Sequence, residues 1–253
     1  PFAVVRSEDD VRAANAGLFP AILKVARFGY DGKGQSRVAD RDEALAAFQH
    51  FKGEPCVLEK MLALDYEVSV VLARDEAGNV RAFPTGENRH RNGILDVTIA
   101  PARASAFPSE GTQLSAQEIA ERIAGKLGYV GTLGVEFFVC RGELVVNEMA
   151  PRPHNSGHYT IEGATTNQFR ELVRYLVGEP LQEPQPVAPT VMKNILGQDL
   201  EAAERIAAEN LPGVYVHLYG KTESRPKRKM GHITFVGMDA ARFEAEWAGR
   251  FVK

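Results

Sequence analysis

Two acidic side chains in neighbouring strand-like segments constrain this chain more than any other feature. Glu136 lies in the apolar segment of residues 134–139, and the apolar run of residues 144–146 leads directly into Asn147 and Glu148. Side chains along a strand alternate between the two faces of a sheet, so two such carboxylates can share one face. Carboxylates in that arrangement can hold a hard cation against a polyphosphate.

A proline-punctuated loop follows Glu148 and carries several polar side chains. Cationic and amide groups beside a pair of carboxylates suit a site that handles anionic substrates. Taken singly, Glu136 also fits the edge of a sheet and Glu148 also fits the cap of a turn. The polar side chains of this loop are Arg152, His154, Asn155 and His158.

A second polar feature lies near the start of the chain. Residues 28–35 contain three glycines and Lys33, and glycines allow backbone N–H groups to converge on an anion. The same pattern also fits an ordinary hairpin turn between Leu23 and Val38. Lys24 lies in the apolar segment just before this turn. An ammonium buried there needs an anion, which favours phosphate, although Lys24 also fits a sheet edge that faces solvent.

Helices are predicted where a capping residue precedes apolar residues at helical spacing, and strands where short apolar runs are bounded by turn residues. A polar stretch at residues 87–93 predicts a loop, in which His90 is either a ligand contact or a solvated side chain. Three prolines within residues 183–189 predict a linker or an extended crossing. The predicted helices cover residues 7–15, 40–51, 115–128, 167–176 and 239–251, and the further strands cover residues 20–25, 55–60, 65–72, 80–83, 94–100, 190–196, 214–219 and 232–236.

Composition narrows the class of protein. The net charge is −3 and the only long basic cluster, residues 225–229, is too local for a general nucleic-acid binder. No apolar run is long enough to span a bilayer, so no membrane partner is expected. Two cysteines provide no disulfide framework, which favours a reducing cytoplasm. Because the first residue is Pro1, we expect a piece of a longer protein or a processed chain.

The order of these features resembles the ATP-grasp superfamily and, within it, the family of N5-carboxyaminoimidazole ribonucleotide synthetases. The resemblance implies an α+β ATP-grasp fold, in which two α+β subdomains (residues 1–61 and 62–182) clasp ATP. It also implies a small β-rich C-terminal domain over residues 183–253. Four strings carry it: Gly-Tyr-Asp-Gly-Lys-Gly-Gln at residues 29–35, Glu-Val-Ser-Val-Val at 67–71, Asn-Glu-Met-Ala-Pro-Arg-Pro-His-Asn-Ser-Gly-His at 147–158, and residues 217–232 from His-Leu-Tyr-Gly-Lys to Gly-His.

The resemblance further implies a cytoplasmic, homodimeric ligase of purine synthesis that uses ATP and Mg²⁺. ATP would phosphorylate bicarbonate to carboxyphosphate, and the amine of 5-aminoimidazole ribonucleotide would accept the carboxyl group. Such phosphoryl transfer needs positioning and charge neutralisation rather than a protein nucleophile.

Each role is carried over by matching the motifs of the family to this sequence. On the ATP side, Lys24 would touch the phosphates, Glu67 would accept from the ribose hydroxyls, and Glu136 and Glu148 would bind Mg²⁺. The other residues matched to the nucleotide site are Gly29, Gly32, Gln35, Glu59, Lys60, Leu62, His90 and Asn147.

The remaining matches concern bicarbonate and the ribonucleotide. Lys221, Arg225 and Arg228 would clamp the ribonucleotide phosphate, for which a guanidinium fork is well suited. Tyr30 and Asp31 would lie near the aminoimidazole, with Asp31 orienting the amine or accepting its proton. The residues expected around bicarbonate and its phosphorylated form are Lys33, Arg152, His154 and Asn155.

This sequence departs from the family in two ways. Phe28 stands where the family commonly has another glycine, and nothing corresponds to the family's N-terminal α/β domain of roughly a hundred residues. That second difference predicts a chain able to bind nucleotide without turnover. The alternatives are a formate-dependent glycinamide ribonucleotide transformylase, a biotin-carboxylase relative, and a non-catalytic nucleotide-binding module.

Overall fold

A computed structural model describes residues 1–27, 34–102 and 115–251. The chain divides into two compact units. The first comprises Pro1–Ala63 with Asn92–Ile94, and the second comprises Leu64–Arg91 with Leu95–Lys253. In the described part of the chain, no helix has the length and apolar character needed to cross a membrane.

The described residues of the first unit form a four-stranded antiparallel sheet with two α-helices. Ser7 and Asp40 cap these helices as predicted, and the Ser7 cap is completed by Asp10. The sheet order is β1-β4-β2-β3; β2 and β3 pair antiparallel, and the glycine-rich segment between them lies largely outside the described residues. The elements are β1 (Phe2–Val5), α1 (Glu8–Ala13), β2 (Ala21–Val25), β3 (Gln35–Val38), α2 (Arg41–His50) and β4 (Cys56–Lys60).

A nine-stranded sheet runs through the second unit. Its order is β10-β9-β5-β7-β8-β11-β13-β12, with β6 paired to β5. The strands are β5 (Tyr66–Arg74), β6 (Val80–Ala82), β7 (Gly86–Arg91), β8 (Ile94–Ala100), β9 (Gly131–Cys140), β10 (Glu143–Ala150), β11 (Thr190–Leu196), β12 (Val214–Leu218) and β13 (Lys229–Val236).

Helices cover this sheet through two apolar clusters. Alanines of the helix at Ala116–Lys126 pack on β5 and β9, beside Val70 and Phe137. Near the C-terminus, Ile206 and Trp247 pack with Phe235 of β13. The helices are α3 (Ala116–Lys126), α4 (Thr160–Gly163), α5 (Gln168–Leu176), α6 (Leu200–Glu209) and α7 (Ala240–Glu246).

Two sequence predictions were wrong. The stretch predicted as a polar loop is mostly strand β7, because its buried polar residues have partners: Asn88 accepts from the Thr98 hydroxyl at 2.9 Å and lies opposite Glu67. Helix α6 was missed, although Ala202, Ala203 and Ile206 form a buried helical stripe.

Strand β11 also pairs with β8, so the sheet continues past the predicted domain boundary at residue 183. The domain boundaries themselves stay a prediction.

Candidate functional site

The two carboxylates face each other across a β-bulge. Glu136 of β9 and Glu148 of β10 are paired residues, and the register shifts between Val146 and Glu148. Directly opposed residues of antiparallel strands project from the same face. Without the extra residue, Asn147 would pair with Glu136, and Glu148 would point to the opposite face. The bulge therefore brings the two carboxylates together.

Negative charge and burial converge on Glu136. Burial raises the pKa of Glu136, and the charges of Glu148 and Glu67 raise it further, against the positive charges of His90 and Lys229. Among the described residues, no group of three or more histidine, cysteine or acidic side chains could hold a metal ion. Two carboxylates nevertheless fit Mg²⁺, which proteins commonly bind through one or two carboxylates together with substrate phosphates.

His154 is held directly beside this pair. Its Nε2 lies 3.4 Å from Glu136 Oε1, and its Nδ1 lies 2.8 Å from the Ser156 hydroxyl, which contacts Ser69 Oγ at 2.8 Å. The ring packs over Gly134, where a Cβ would come within 2.7 Å of His154 Cβ. Burial lowers the pKa of His154 to about 4, so the imidazole is neutral at neutral pH.

Asn155 is fixed by a second amide. Asn155 Nδ2 donates to Asn194 Oδ1 at 2.9 Å, and Asn194 Nδ2 donates back to Asn155 Oδ1 at 2.7 Å. Asn194 also donates to the Leu95 carbonyl at 2.7 Å. Strand β11 thus orients a predicted site residue through Asn194, for which no local sequence signal exists.

Glu67 and His90, two predicted nucleotide contacts, lie together on β5 and β7. His90 Nδ1 is 3.0 Å from Glu67 Oε2. Burial lowers the pKa of His90, but the hydrogen bond and charge of Glu67 outweigh it, so the net shift is upward. The remaining second-unit residue of the predicted nucleotide site, Asn147, is half-buried at the bulge.

The three predicted phosphate-clamp residues are exposed. Lys221 Nζ donates to the Lys229 carbonyl at 2.5 Å, and Arg228 donates to the Glu223 carbonyl at 2.8 Å. Arg225 pairs with the Glu223 carboxylate. Arg152 is also exposed and donates to the carbonyl of Pro153. Their cationic groups are therefore on the surface of the second unit.

The segment that carries Arg225 depends on a glycine. A Cβ at Gly197 would lie 2.0 Å from the Arg225 carbonyl oxygen. The Ser224 hydroxyl donates to the Gly197 carbonyl at 3.0 Å, and the Lys227 N–H donates to Gln198 Oε1 at 3.0 Å. These contacts seat residues 223–228 against the start of the turn that precedes α6.

Three histidine rings stack around His232, which is buried, while His158 and His217 are half-buried. His217 and His232 are 4.5 Å apart, and His232 and His158 are 4.9 Å apart. The Tyr219 hydroxyl lies 3.0 Å from His232 Nδ1. Burial lowers the pKa of His158 to about 4 and that of His232 to about 2, so both rings are neutral at neutral pH.

In the first unit, the Lys24 ammonium forms an ion pair with Glu59. Its Nζ lies 2.6 Å from Glu59 Oε2, and Lys24 is paired across β2–β3 with the exposed Gln35. Lys60 is exposed, and Leu62 is half-buried. The other predicted residues of this unit lie outside the described residues: Gly29, Tyr30, Asp31, Gly32 and Lys33.

Comparison with known proteins shows which family models and relatives the chain matches. Residues 1–169 match the model of the ATP-grasp domain, and residues 190–246 match the phosphoribosylaminoimidazole carboxylase C-terminal domain. The chain is 40% identical over 252 residues to the N5-carboxyaminoimidazole ribonucleotide synthase of Bacillus subtilis. That match covers 98% of this chain and 63% of the relative, so the chain spans less than two thirds of its length.

Two solved structures resemble the chain throughout. N5-carboxyaminoimidazole synthetase from Staphylococcus aureus, complexed with ADP, has a TM-score of 0.89 at 37% identity, over 100% of this chain and 66% of that one. The Aspergillus clavatus synthase, in complex with ADP and 5-aminoimidazole ribonucleotide, has a TM-score of 0.82 at 26% identity, over 99% and 66%.

Proposed function

The chain belongs to the ATP-grasp family of N5-carboxyaminoimidazole ribonucleotide synthases, and we propose that it serves their reaction. The reaction is the ATP- and bicarbonate-dependent carboxylation of 5-aminoimidazole ribonucleotide, with release of ADP and phosphate. The pairing of Glu136 with Glu148 across the bulge is the observation that supports this function most directly. A homodimeric state and a cytoplasmic location stay predictions.

Glu136 and Glu148 are the residues that would hold Mg²⁺. When bound, the ion would neutralise phosphate charge and help to orient the transferred group. Glu148 is exposed and Glu136 is largely buried, so one carboxylate is open to an arriving nucleotide while the other is held rigidly by the sheet. Lys24, Glu59, Glu67 and His90 would contact the nucleotide, as the resemblance implies.

His154 and Asn155 would serve the carboxyl end of the reaction. A neutral imidazole keeps a hydrogen-bond donor without adding a competing charge beside the metal-binding carboxylates. Asn155 uses one oxygen lone pair and one N–H on Asn194, which leaves one N–H for a substrate oxygen. Donors held in place by the protein stabilise a developing oxyanion because they need no reorganisation. Lys33, Asp31 and Tyr30 complete this part of the proposal by resemblance alone.

Lys221, Arg225 and Arg228 would bind the ribonucleotide phosphate. Their exposure suits a ligand that arrives from solvent, and the docking of residues 223–228 against Gly197 limits the entropy lost when the clamp closes. Arg225 is already engaged by Glu223, so substrate phosphate would compete with that carboxylate.

The test is phosphate release from ATP with Mg²⁺, bicarbonate and aminoimidazole ribonucleotide, measured on a protein that also carries the family's N-terminal domain. We expect Glu148→Gln to abolish turnover, since an amide cannot replace the anionic ligand. Glu143→Gln, at an exposed position of the same strand, is the matched control and should keep wild-type kinetics. Arg228→Ala should mainly raise the ribonucleotide KM.

Wild-type kinetics in Glu148→Gln would contradict the metal assignment. Phosphate release that depends on formate and not on bicarbonate would instead indicate a transformylase. Nucleotide binding without any phosphate release, in a protein that also carries the N-terminal domain, would indicate a non-catalytic nucleotide-binding module.

A further inference from the structure

Helix α5 buries polar side chains and exposes apolar ones. Gln168 and Glu171 are both 0% exposed, whereas Val173 is 55% and Leu176 is 67% exposed. Burying an amide or a carboxylate destabilises a fold unless hydrogen bonds replace the lost water. Each of these two side chains therefore needs a set of partners, and the partners reveal what each one does.

The two buried side chains have different partners. Glu171 accepts from the Thr166 hydroxyl and from the Gln182 N–H at 2.8 Å, so it ties together the segments that flank its own helix. Gln168 reaches instead into the polar loop after β10, to His154 and His158. Only Gln168 of the pair contacts a predicted site residue.

The side-chain amide of Gln168 hydrogen-bonds to both the N–H and the carbonyl of His154. Its Oε1 accepts from the His154 N–H at 2.8 Å, and its Nε2 donates to the His154 carbonyl at 2.9 Å. The same Nε2 lies 3.0 Å from His158 Nδ1. The side-chain amide thus pairs with His154 in the way that a residue of an adjacent β-strand would. Both of its N–H groups act as donors, one to His154 and one to His158.

This geometry determines proton positions as well as atom positions. A backbone N–H must donate and a carbonyl must accept, so the amide of Gln168 can take only one orientation. Its second N–H then points at His158 Nδ1, which must accept. The hydrogen of the neutral His158 ring is consequently on Nε2.

Close packing prevents the polar loop after β10 from moving away from Gln168. A Cβ at Gly157 would lie 2.8 Å from Gln168 Oε1 and 2.8 Å from Val71 Cγ2. The loop backbone therefore touches both the Gln168 amide and the sheet below it. Displacing the amide would displace His154 from its position beside Glu136.

We propose that Gln168 is a positioning residue, which holds His154 at the carboxyl-transfer end of the site and sets the Nε2–H tautomer of His158. This proposal rests on the proposed function for the catalytic consequence, and on the structure alone for the tautomer. Acting through His154, Gln168 influences the chemical step and leaves nucleotide binding unchanged.

The kinetic test compares Gln168→Met with Glu171→Gln in a protein that also carries the family's N-terminal domain. Methionine fills similar volume without any hydrogen bond, and we expect kcat to fall about 10- to 100-fold, as for residues that orient the side chains of a metal site. Titration with ADP should give an unchanged dissociation constant and a full complement of sites. Glu171→Gln, a change to another buried polar group of α5, should keep kcat within about twofold.

If Gln168 only stabilised the fold, Gln168→Met would lose ADP-binding sites and activity in the same proportion. That outcome would overturn the proposal. Unchanged kcat in Gln168→Met would overturn it equally. Gln168→Glu is the second variant if Gln168→Met fails to fold. The ionised carboxylate introduced by that change still accepts from the His154 N–H but cannot donate to His158, so kcat should again fall.

The tautomer is read from the ¹⁵N chemical shifts of the His158 ring at neutral pH. We expect the Nε2–H form in the native protein and in Glu171→Gln, a mixture of tautomers in Gln168→Met, and the Nδ1–H form in Gln168→Glu, because an ionised carboxylate can only accept from His158 Nδ1. An Nδ1–H form in the native protein would refute the positioning claim. Absence of bicarbonate-dependent phosphate release in the native protein would refute the proposed function. The ¹⁵N shifts of His158 would still decide whether Gln168 sets its tautomer, because they do not depend on activity.

Discussion

Adding one methyl group beneath His154 tests how the site is supported. Gly134 lies in β9 between Val71 of β5 and Ala150 of β10, so a paired strand flanks it on each side. A Cβ there would stand 2.7 Å from His154 Cβ and 3.1 Å from its Cγ. Gly134→Ala therefore forces the imidazole and the strand apart.

The expected cost follows from those distances. Carbon atoms pack best at about 3.5–4.0 Å, so a gap of roughly 1 Å must open. Overpacking of this kind costs about 1–3 kcal/mol. His154 cannot yield freely, because Gln168 holds its backbone and Ser156 holds its ring. A displacement of about 1 Å at a reacting group can also lower the rate about 100-fold.

The control is the same substitution where space is open. A Cβ at Gly125 in α3 meets nothing within 4 Å. Alanine is favoured over glycine within a helix by about 0.5–1 kcal/mol, so Gly125→Ala should stabilise the protein. Differential scanning calorimetry should show a lower Tm for Gly134→Ala and a raised one for Gly125→Ala, at roughly 2–4 °C per kcal/mol.

Activity and stability together decide the outcome. We expect Gly134→Ala to lose phosphate release well below its Tm, while Gly125→Ala keeps it. If Gly134→Ala has native stability and kcat, then His154 is not packed on this strand as described, and the support for the site is misidentified.

Two further predictions concern pH and the phosphate clamp. His158 and His232 are neutral in the folded protein, with pKa values lowered to about 4 and about 2 from the usual 6.5. Unfolding below pH 6.5 therefore takes up protons, and stability should fall as pH drops from about 6.5 to 4, by up to about 1.4 kcal/mol per pH unit for each ring. Tm measured across this window should fall less steeply in His232→Leu; equal slopes would contradict the assignment. Gly197→Ala, with a Cβ 2.0 Å from a backbone oxygen, should raise the ribonucleotide KM about tenfold without changing ADP affinity. Gly249→Ala, where the added Cβ meets nothing within 4 Å, should leave that KM unchanged.

Local chemistry in the sequence predicted most of the elements. Ser7, Asp40 and Ser115 cap helices as expected, because a cap and the N–H groups it satisfies are only a few residues apart. The β2–β3 hairpin and the two acid-bearing strands were likewise predicted from short patterns. Strand β7 was not, because its polar sequence becomes strand only through partners on other strands.

The sequence by itself determined which chemical groups are present and the order in which they follow one another along the chain. Only the tertiary structure decided that Glu148 faces Glu136, since a single bulge residue sets the register. It also decided that Gln168 and Asn194, which no motif marks, orient the polar loop, together with Ser69 of the Glu-Val-Ser string. Hydrogen bonds of a buried amide or hydroxyl join residues far apart in sequence, so they become visible only when the sheet and its helices have packed.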